Sequence, residues 1–207
     1  MSREYYIHNV PFFVINDVQE QVSLPHLCAD LEEFISPSLL RNIDVFYIGD
    51  FKELKGRNAA YTDGAIYISN QELTNEDIVE NVMHELAHSL EESFSNHIYD
   101  ADLVSEFRAK RDTLRNVLNS HGYRASASYY DDLQYNKKFD HFLSSTVGYP
   151  VLLSLTMGLF ASPYGATSLQ EYFANGFEKY FLDGPETIRK ISPILHRKIE
   201  EILDATA

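Results

Sequence analysis

Three residues in one short stretch have types and spacing that could do chemistry. They are His84, Glu85 and His88, in the order H-E-x-x-H within Asn81 to Glu92, NVMHELAHSLEE. On a helix, residues four apart lie one above the other, so two imidazoles can be offered to one metal ion. Glu85 projects beside them, where a carboxylate can take a proton from a water that the metal has activated and pass it on, the general-base role in metal-assisted hydrolysis. Three fixed positions in five are a short pattern, with about 0.02 chance matches expected at this His and Glu usage, so the surrounding sequence has to contribute. It does. Ile78, Val79, Val82, Met83, Leu86 and Leu90 recur at three- and four-residue spacing and define one apolar face, and the two histidines fall opposite it. Solubility alone does not require them there, because Glu76, Asp77 and Glu80 already supply it.

This helix must begin close to Thr74, a plausible N-cap followed by acidic residues where the helix dipole favours them. Before it, residues 5–15 are rich in Tyr, Ile, Phe and Val but interrupted by Pro11, which suggests one edge strand or extended arm. Leu27, Leu31, Phe34 and Ile35 repeat at helical spacing and end near Ser36-Pro37. Asn42 to Gly49 reads as a strand, and Ala59 to Ser69 as a hairpin turning at Asp63-Gly64, so a small mixed or antiparallel sheet is expected. Beyond the motif, Asp100 to Leu118 is an amphipathic helix, and Gly122 with Ser126 to Ser128 marks a loop. Tyr129 to Asp132 read as a solvated acidic loop, and Phe139 to Phe160 as packed, partly helical filler. Ser168 to Leu182 is a helix that Gly184-Pro185 ends, and a last helix runs from Glu186 to Leu203. The fold class is therefore α+β.

The totals narrow the function classes. A chain of 207 residues suits one domain with a substantial core. Its formal net charge of −14 and lack of any basic run make nucleic acid an unfit partner, because phosphate binding needs clustered Lys and Arg. The single cysteine, Cys28, precludes an internal disulfide framework and reads as a small core residue. The apolar stretch Val147 to Ala161 is too short for a membrane span and broken by Gly148, Pro150 and Gly158, so no membrane partner is expected. The amino end shows no secretory leader, which makes a cytoplasmic location the default and leaves secretion by another route open.

A catalytic zinc site takes three protein ligands and keeps one position for water, so the two histidines need a third donor. A histidine six residues beyond His88 would complete H-E-x-x-H-x-x-G-x-x-H, but that position is Phe94, and Glu91 stands in the glycine's place. Glu106, on the next helix, and Glu171, much later, remain as candidates; His97, His121 and His141 have no supporting spacing.

Glu171 lies in PYGATSLQEYFANGFEKYF, residues 163 to 181. This stretch resembles the catalytic domain of anthrax lethal factor and its relatives, including the Pro-Pro endopeptidases, a zincin-like family of the type whose third ligand is a glutamate. The resemblance implies Glu171 as that ligand, heading a Glu-aromatic-Phe-Ala run matched by Glu171, Tyr172, Phe173 and Ala174, with His84 and His88 as the others. It also implies Tyr164, seven residues earlier in a Tyr-Gly-x-Thr sequence, as a phenol that helps hold the oxyanion or leaving group. Asn175, one turn after Glu171, could hydrogen-bond a ligand. The likeness covers the motif helix and roughly the last 45 residues, with a weaker echo in the hairpin, and leaves a divergent insert at about residues 93–160. What it implies is a single-domain zinc (Zn2+) endopeptidase acting on a polypeptide substrate, with Glu85 as base and Tyr164 as oxyanion donor. An extended substrate would be added near Ala65 to Ser69 of the sheet edge. A repressor-cleaving regulatory metalloprotease, whose ligand helix also reads Glu followed by Ala-Asn, and a non-catalytic zinc-binding protein are the alternative readings.

Overall fold

The computed structural model describes residues 3–206. Five strands and nine α-helices are present among them: β1 (Arg3–Ile7), β2 (Val10–Val14), α1 (Leu24–Phe34), β3 (Val45–Gly49), β4 (Ala59–Thr62), β5 (Ala65–Ser69), α2 (Asn75–Ile98), α3 (Ala101–Ser120), α4 (Ala127–Asp131), α5 (Lys137–His141), α6 (Tyr149–Leu155), α7 (Leu169–Leu182), α8 (Pro185–Ile191) and α9 (Pro193–Thr206). The class is α+β. The chain divides into two compact units, Met1–Phe94 with Leu203–Ala207, and Ser95–Ile202.

The first unit holds a mixed five-stranded sheet in the order β1-β2-β3-β5-β4. Where the sequence suggested one extended arm over residues 5–15, two antiparallel strands form, joined at His8-Asn9; His8 has φ +52°. Strands β2, β3 and β5 run parallel, and β4 closes the other edge antiparallel to β5. The β4–β5 turn is the Asp63-Gly64 pair read from the sequence. Both residues have positive φ, +49° and +77°, as a two-residue turn matching strand twist demands. Alternation sets the core: Phe12, Val14, Phe46, Ile48, Ile66 and Ile68 point to one face and are at most 3% exposed. Helix α1 buries Leu24, Leu27, Cys28 and Leu31 and packs against β1. Burial also pushes the Cys28 thiol up to about 11, as suits an inert core cysteine.

Helix α2 starts where the sequence placed it. Thr74 Oγ1 accepts from Asp77 N at 3.1 Å and Asp77 Oδ2 accepts from Thr74 N at 3.2 Å, a reciprocal capping box. Its apolar face is fully covered: Ile78, Val82, Met83, Leu86 and Leu90 are at 0% exposure.

In the second unit, Asp100 caps α3 by accepting from Asp102 N and Leu103 N. Phe139 to Phe160 is packed and partly helical, as expected, whereas the acidic stretch before it is more ordered than composition suggested. Tyr129 to Asp131 belong to the short α4, with Tyr130 2% exposed against Phe139 rather than in a solvated loop. Phe142–Gly148 is wound as a π-helix, a rare local winding, between α5 and α6. The last helix expected over Glu186 to Leu203 is two, α8 and α9, because Pro193 cannot donate a backbone hydrogen bond and disfavours helical geometry at Ser192. Gly176, in mid-α7, lets α9 close in, since a Cβ there would overlap the Leu195 side chain.

Candidate metal centre

Helix α2 carries both histidines and the candidate base. His84 and His88, one turn apart on α2, have ring centroids 4.9 Å apart. His88 Nδ1 lies 2.7 Å from Glu91 Oε1. A carboxylate on Nδ1 fixes the ring's orientation and its tautomer, so Nε2 carries the lone pair available to a metal. Glu85 is 9% exposed, and its Oε2 accepts from the backbone N–H of Tyr61 at 2.7 Å. That donor belongs to β4, so an edge strand of the sheet holds the carboxylate in place. The Tyr61 side chain ties the same strand to α2: its hydroxyl donates to Glu92 Oε1 at 2.7 Å and to Asn42 O at 3.2 Å. Burial, then Glu92, pushes the Tyr61 phenol up to about 12.

Helix α7 carries the late carboxylate. Ser168 caps α7, its Oγ accepting from Glu171 N at 3.1 Å, which places Glu171 in the first turn at 9% exposure. Tyr164 OH donates to Glu171 Oε1 at 3.2 Å. The turn that carries Tyr164 is secured from three sides. Thr167 Oγ1 donates to Tyr164 O at 2.7 Å, Arg111 donates to Thr167 O at 3.0 Å, and Ser162 Oγ donates to Asn175 Oδ1. Asn175, which could hydrogen-bond a ligand, holds this turn and is 4% exposed. Arg111 is 1% exposed, with its guanidinium over the Phe107 ring at 4.8 Å and the Phe139 ring at 4.6 Å. Burial lowers it to about 10.

The two candidates for the third ligand now separate. Glu106 Oε1 accepts from Tyr172 OH at 2.8 Å and Leu195 N at 3.1 Å, and its Oε2 accepts from Ile194 N at 2.9 Å. It is committed to the start of α9 and to the tyrosine after Glu171. Glu171 is grouped with the histidines: one ligand atom each from His84, His88 and Glu171 lies within 4.8 Å of the others, so these three could hold a metal ion. Two imidazole nitrogens and a carboxylate oxygen are a donor set that suits a transition metal with an open position. Among the described residues this is the one such group.

Several contributors escaped the sequence reading. Glu91 sits three residues after His88 on the same helical face, a spacing that could have flagged it. Arg111 lies on the apolar stripe of α3 between Phe107 and Leu114, where a charge is the signal of a buried role. The backbone donor of Tyr61 has no sequence signature. The strand Ala65–Ser69, expected to be the substrate edge, is interior, hydrogen-bonded to β3 on one side and β4 on the other, so the free edge on that side is β4. Two of the histidines without supporting spacing have other partners: His97 pairs with Glu201 at 2.9 Å, and His121 Nδ1 lies 2.9 Å from Val117 O at the end of α3. No helix among the described residues is long and apolar enough to cross a membrane.

Compared with protein families, with curated proteins and with solved structures, the chain gives no match in any of the three.

Proposed function

We propose that the chain is a zinc-dependent endopeptidase of zincin-like fold, similar to the lethal factor catalytic domain, that hydrolyses peptide bonds with Glu85 as general base. The observation that carries this reading is the grouping of His84, His88 and Glu171, because it sets two imidazole nitrogens and a carboxylate oxygen within 4.8 Å of one another, as one metal ion would need. A bound zinc ion would supply the Lewis acid that acidifies a water and polarises the scissile carbonyl. Glu85, held by Tyr61 N, accepts the water's proton and delivers it to the leaving amine. Tyr164, whose phenol already lies at the ligand carboxylate, donates to the oxygen on which negative charge grows. The polypeptide substrate lies along the outer edge of β4, where the backbone groups of Ala59 point to the same side as Tyr61 N.

Metal analysis of the purified chain, combined with cleavage of an internally quenched peptide library, tests this. Wild type and Glu85→Ala should each carry one zinc per chain, while turnover falls by about 10³-fold or more in the variant. Equal turnover in the two proteins removes the base; a gently prepared chain without zinc removes the site.

A further inference from the structure

Strand β4 borders a cavity on the face of the sheet turned away from α2. Side chains alternate along a strand. Tyr61 faces α2, its hydroxyl donating to Glu92 Oε1 at 2.7 Å, so Ala60 and Thr62 face the other way, on the side of their strand partners Tyr67 and Ala65. On that side Thr62 lines a cavity of about 400 Å³ together with Lys52, Glu53 and Lys55, which belong to the β3–β4 connection.

Apolar anchors hold that connection in place. Phe51 packs edge-on against Tyr47 and Tyr67, with ring centroids 6.1 and 5.2 Å away, and Gly49 gives it room, since a Cβ there would stand 3.0 Å from the Phe51 ring. Leu54 is 6% exposed, and Asp50 N donates to Asn16 Oδ1 at 3.0 Å. Lys55 and Gly56 both take positive φ, +49° and +83°, and reverse the chain just before β4. A lysine rarely adopts that backbone.

The lining is cationic in an acidic protein. Lys52 Nζ lies 3.9 Å from Glu53 Oε1, while Lys55 forms no ion pair among the described residues. Two lysines against one glutamate leave one positive charge there, whereas the whole chain carries −14. Asp63 follows Thr62 in the turn but does not line the cavity.

We infer that this cavity is a specificity subsite that takes an acidic side chain, aspartate or glutamate, of a polypeptide lying along β4. This rests on the peptidase reading, in which the backbone N–H of Tyr61, the residue before Thr62, holds the base Glu85 at 2.7 Å. A strand added to that edge alternates its side chains as β4 does: those on the α2 side point toward Glu85, and those on the other side meet Thr62 and the lysines. A carboxylate there meets the unmatched charge of Lys55, whereas a lysine would bring like charge against it.

The test compares the zinc-loaded wild-type chain with two double variants. Lys52→Glu/Lys55→Glu reverses the lining, and Arg108→Glu/Lys190→Glu makes the same change of net charge at exposed positions of α3 and α8. All three are given quenched peptides carrying Asp or Glu, or else Lys, at the randomised positions, and binding of the same peptides with a fluorescent label is followed by anisotropy. The ratio of kcat/KM for acidic over Lys peptides should fall about fivefold or more in the first variant and hold in the second, with zinc content unchanged, and in wild type it should shrink as salt is raised. An unchanged ratio in the first variant alongside Glu85-dependent cleavage overturns the subsite and leaves the peptidase standing. An equal fall in both variants does the same, because it assigns the preference to the field of the whole chain. Absence of cleavage, with acidic peptides bound more weakly by the first variant alone, removes the peptidase and keeps an acid-selecting cavity. Absence of both cleavage and binding overturns both.

Discussion

Helices α2 and α7 open with the same local device and use it for opposite ends. Each has a hydroxyl residue at its cap and an acid three positions on, Thr74 with Asp77 and Ser168 with Glu171. In both, the hydroxyl accepts the acid's backbone N–H. At α2 the acid turns back on the cap, Asp77 Oδ2 accepting from Thr74 N, and the motif is complete as a stabiliser of the helix end. At α7 the acid's carboxylate accepts from Tyr164 OH and belongs to the group with the two histidines. A capping pattern in sequence therefore does not say whether its carboxylate serves the helix or a site. That is decided by what the rest of the chain brings within reach of it.

The sharpest way to break this comparison is to remove both acids in turn. Glu171→Gln should lose most of its zinc, measured as bound metal after dialysis against a weak chelator, with peptide turnover falling in step. Asp77→Ala should keep its zinc and lower stability by about 1 kcal/mol, as loss of a cap does, read from the urea midpoint. Equal metal loss in the two variants would mean that α7 uses its acid no differently from α2.

Tyr164→Phe follows in size. Removing one donor to a developing oxyanion lowers kcat by about 10²-fold, and KM and metal content should hold. A matching loss of zinc would show that the phenol acts through Glu171 alone. Smaller again is Glu91→Gln, where the weakened acceptor on His88 Nδ1 should cost roughly 10-fold in zinc affinity by competition titration. The least effect is expected from Tyr61, the tyrosine of the strand that holds Glu85. Its phenol is raised from 10.0 to about 12, so the folded chain keeps that proton where the unfolded chain has released it. The stability this supplies is fully present below pH about 10 and is lost as pH climbs through 12. Tyr61→Phe should therefore flatten the fall in urea midpoint between those limits.

How much of this was legible in the sequence can be followed along the same two helices. Around α2 nearly all of it was. The i, i+4 histidines, the Thr74 cap and the Asp63-Gly64 turn are written in neighbouring residues, because helix periodicity and turn dihedrals are local properties. Around α7 the helix, its Ser168 cap and its glutamate were visible, but composition and spacing left Glu106 and Glu171 both open as the third ligand. Only a family resemblance had preferred one. The errors fall where backbone pairing or distant packing rules. The strand Ala65–Ser69 was expected at an edge and is interior, and Tyr130 was expected in a solvated loop and is buried against Phe139.

The sequence by itself determined the α+β class, the imidazole pair with its adjacent carboxylate, and the helix ends that hold them, because each depends on residues within one or two turns of one another. The tertiary structure alone decided that Glu106 serves Tyr172 and the start of α9, that Glu171 meets the histidines, and that a backbone N–H of β4 steadies Glu85. Those choices are matters of distance between residues far apart in the chain, and a carboxylate carries no mark of which donor will reach it first.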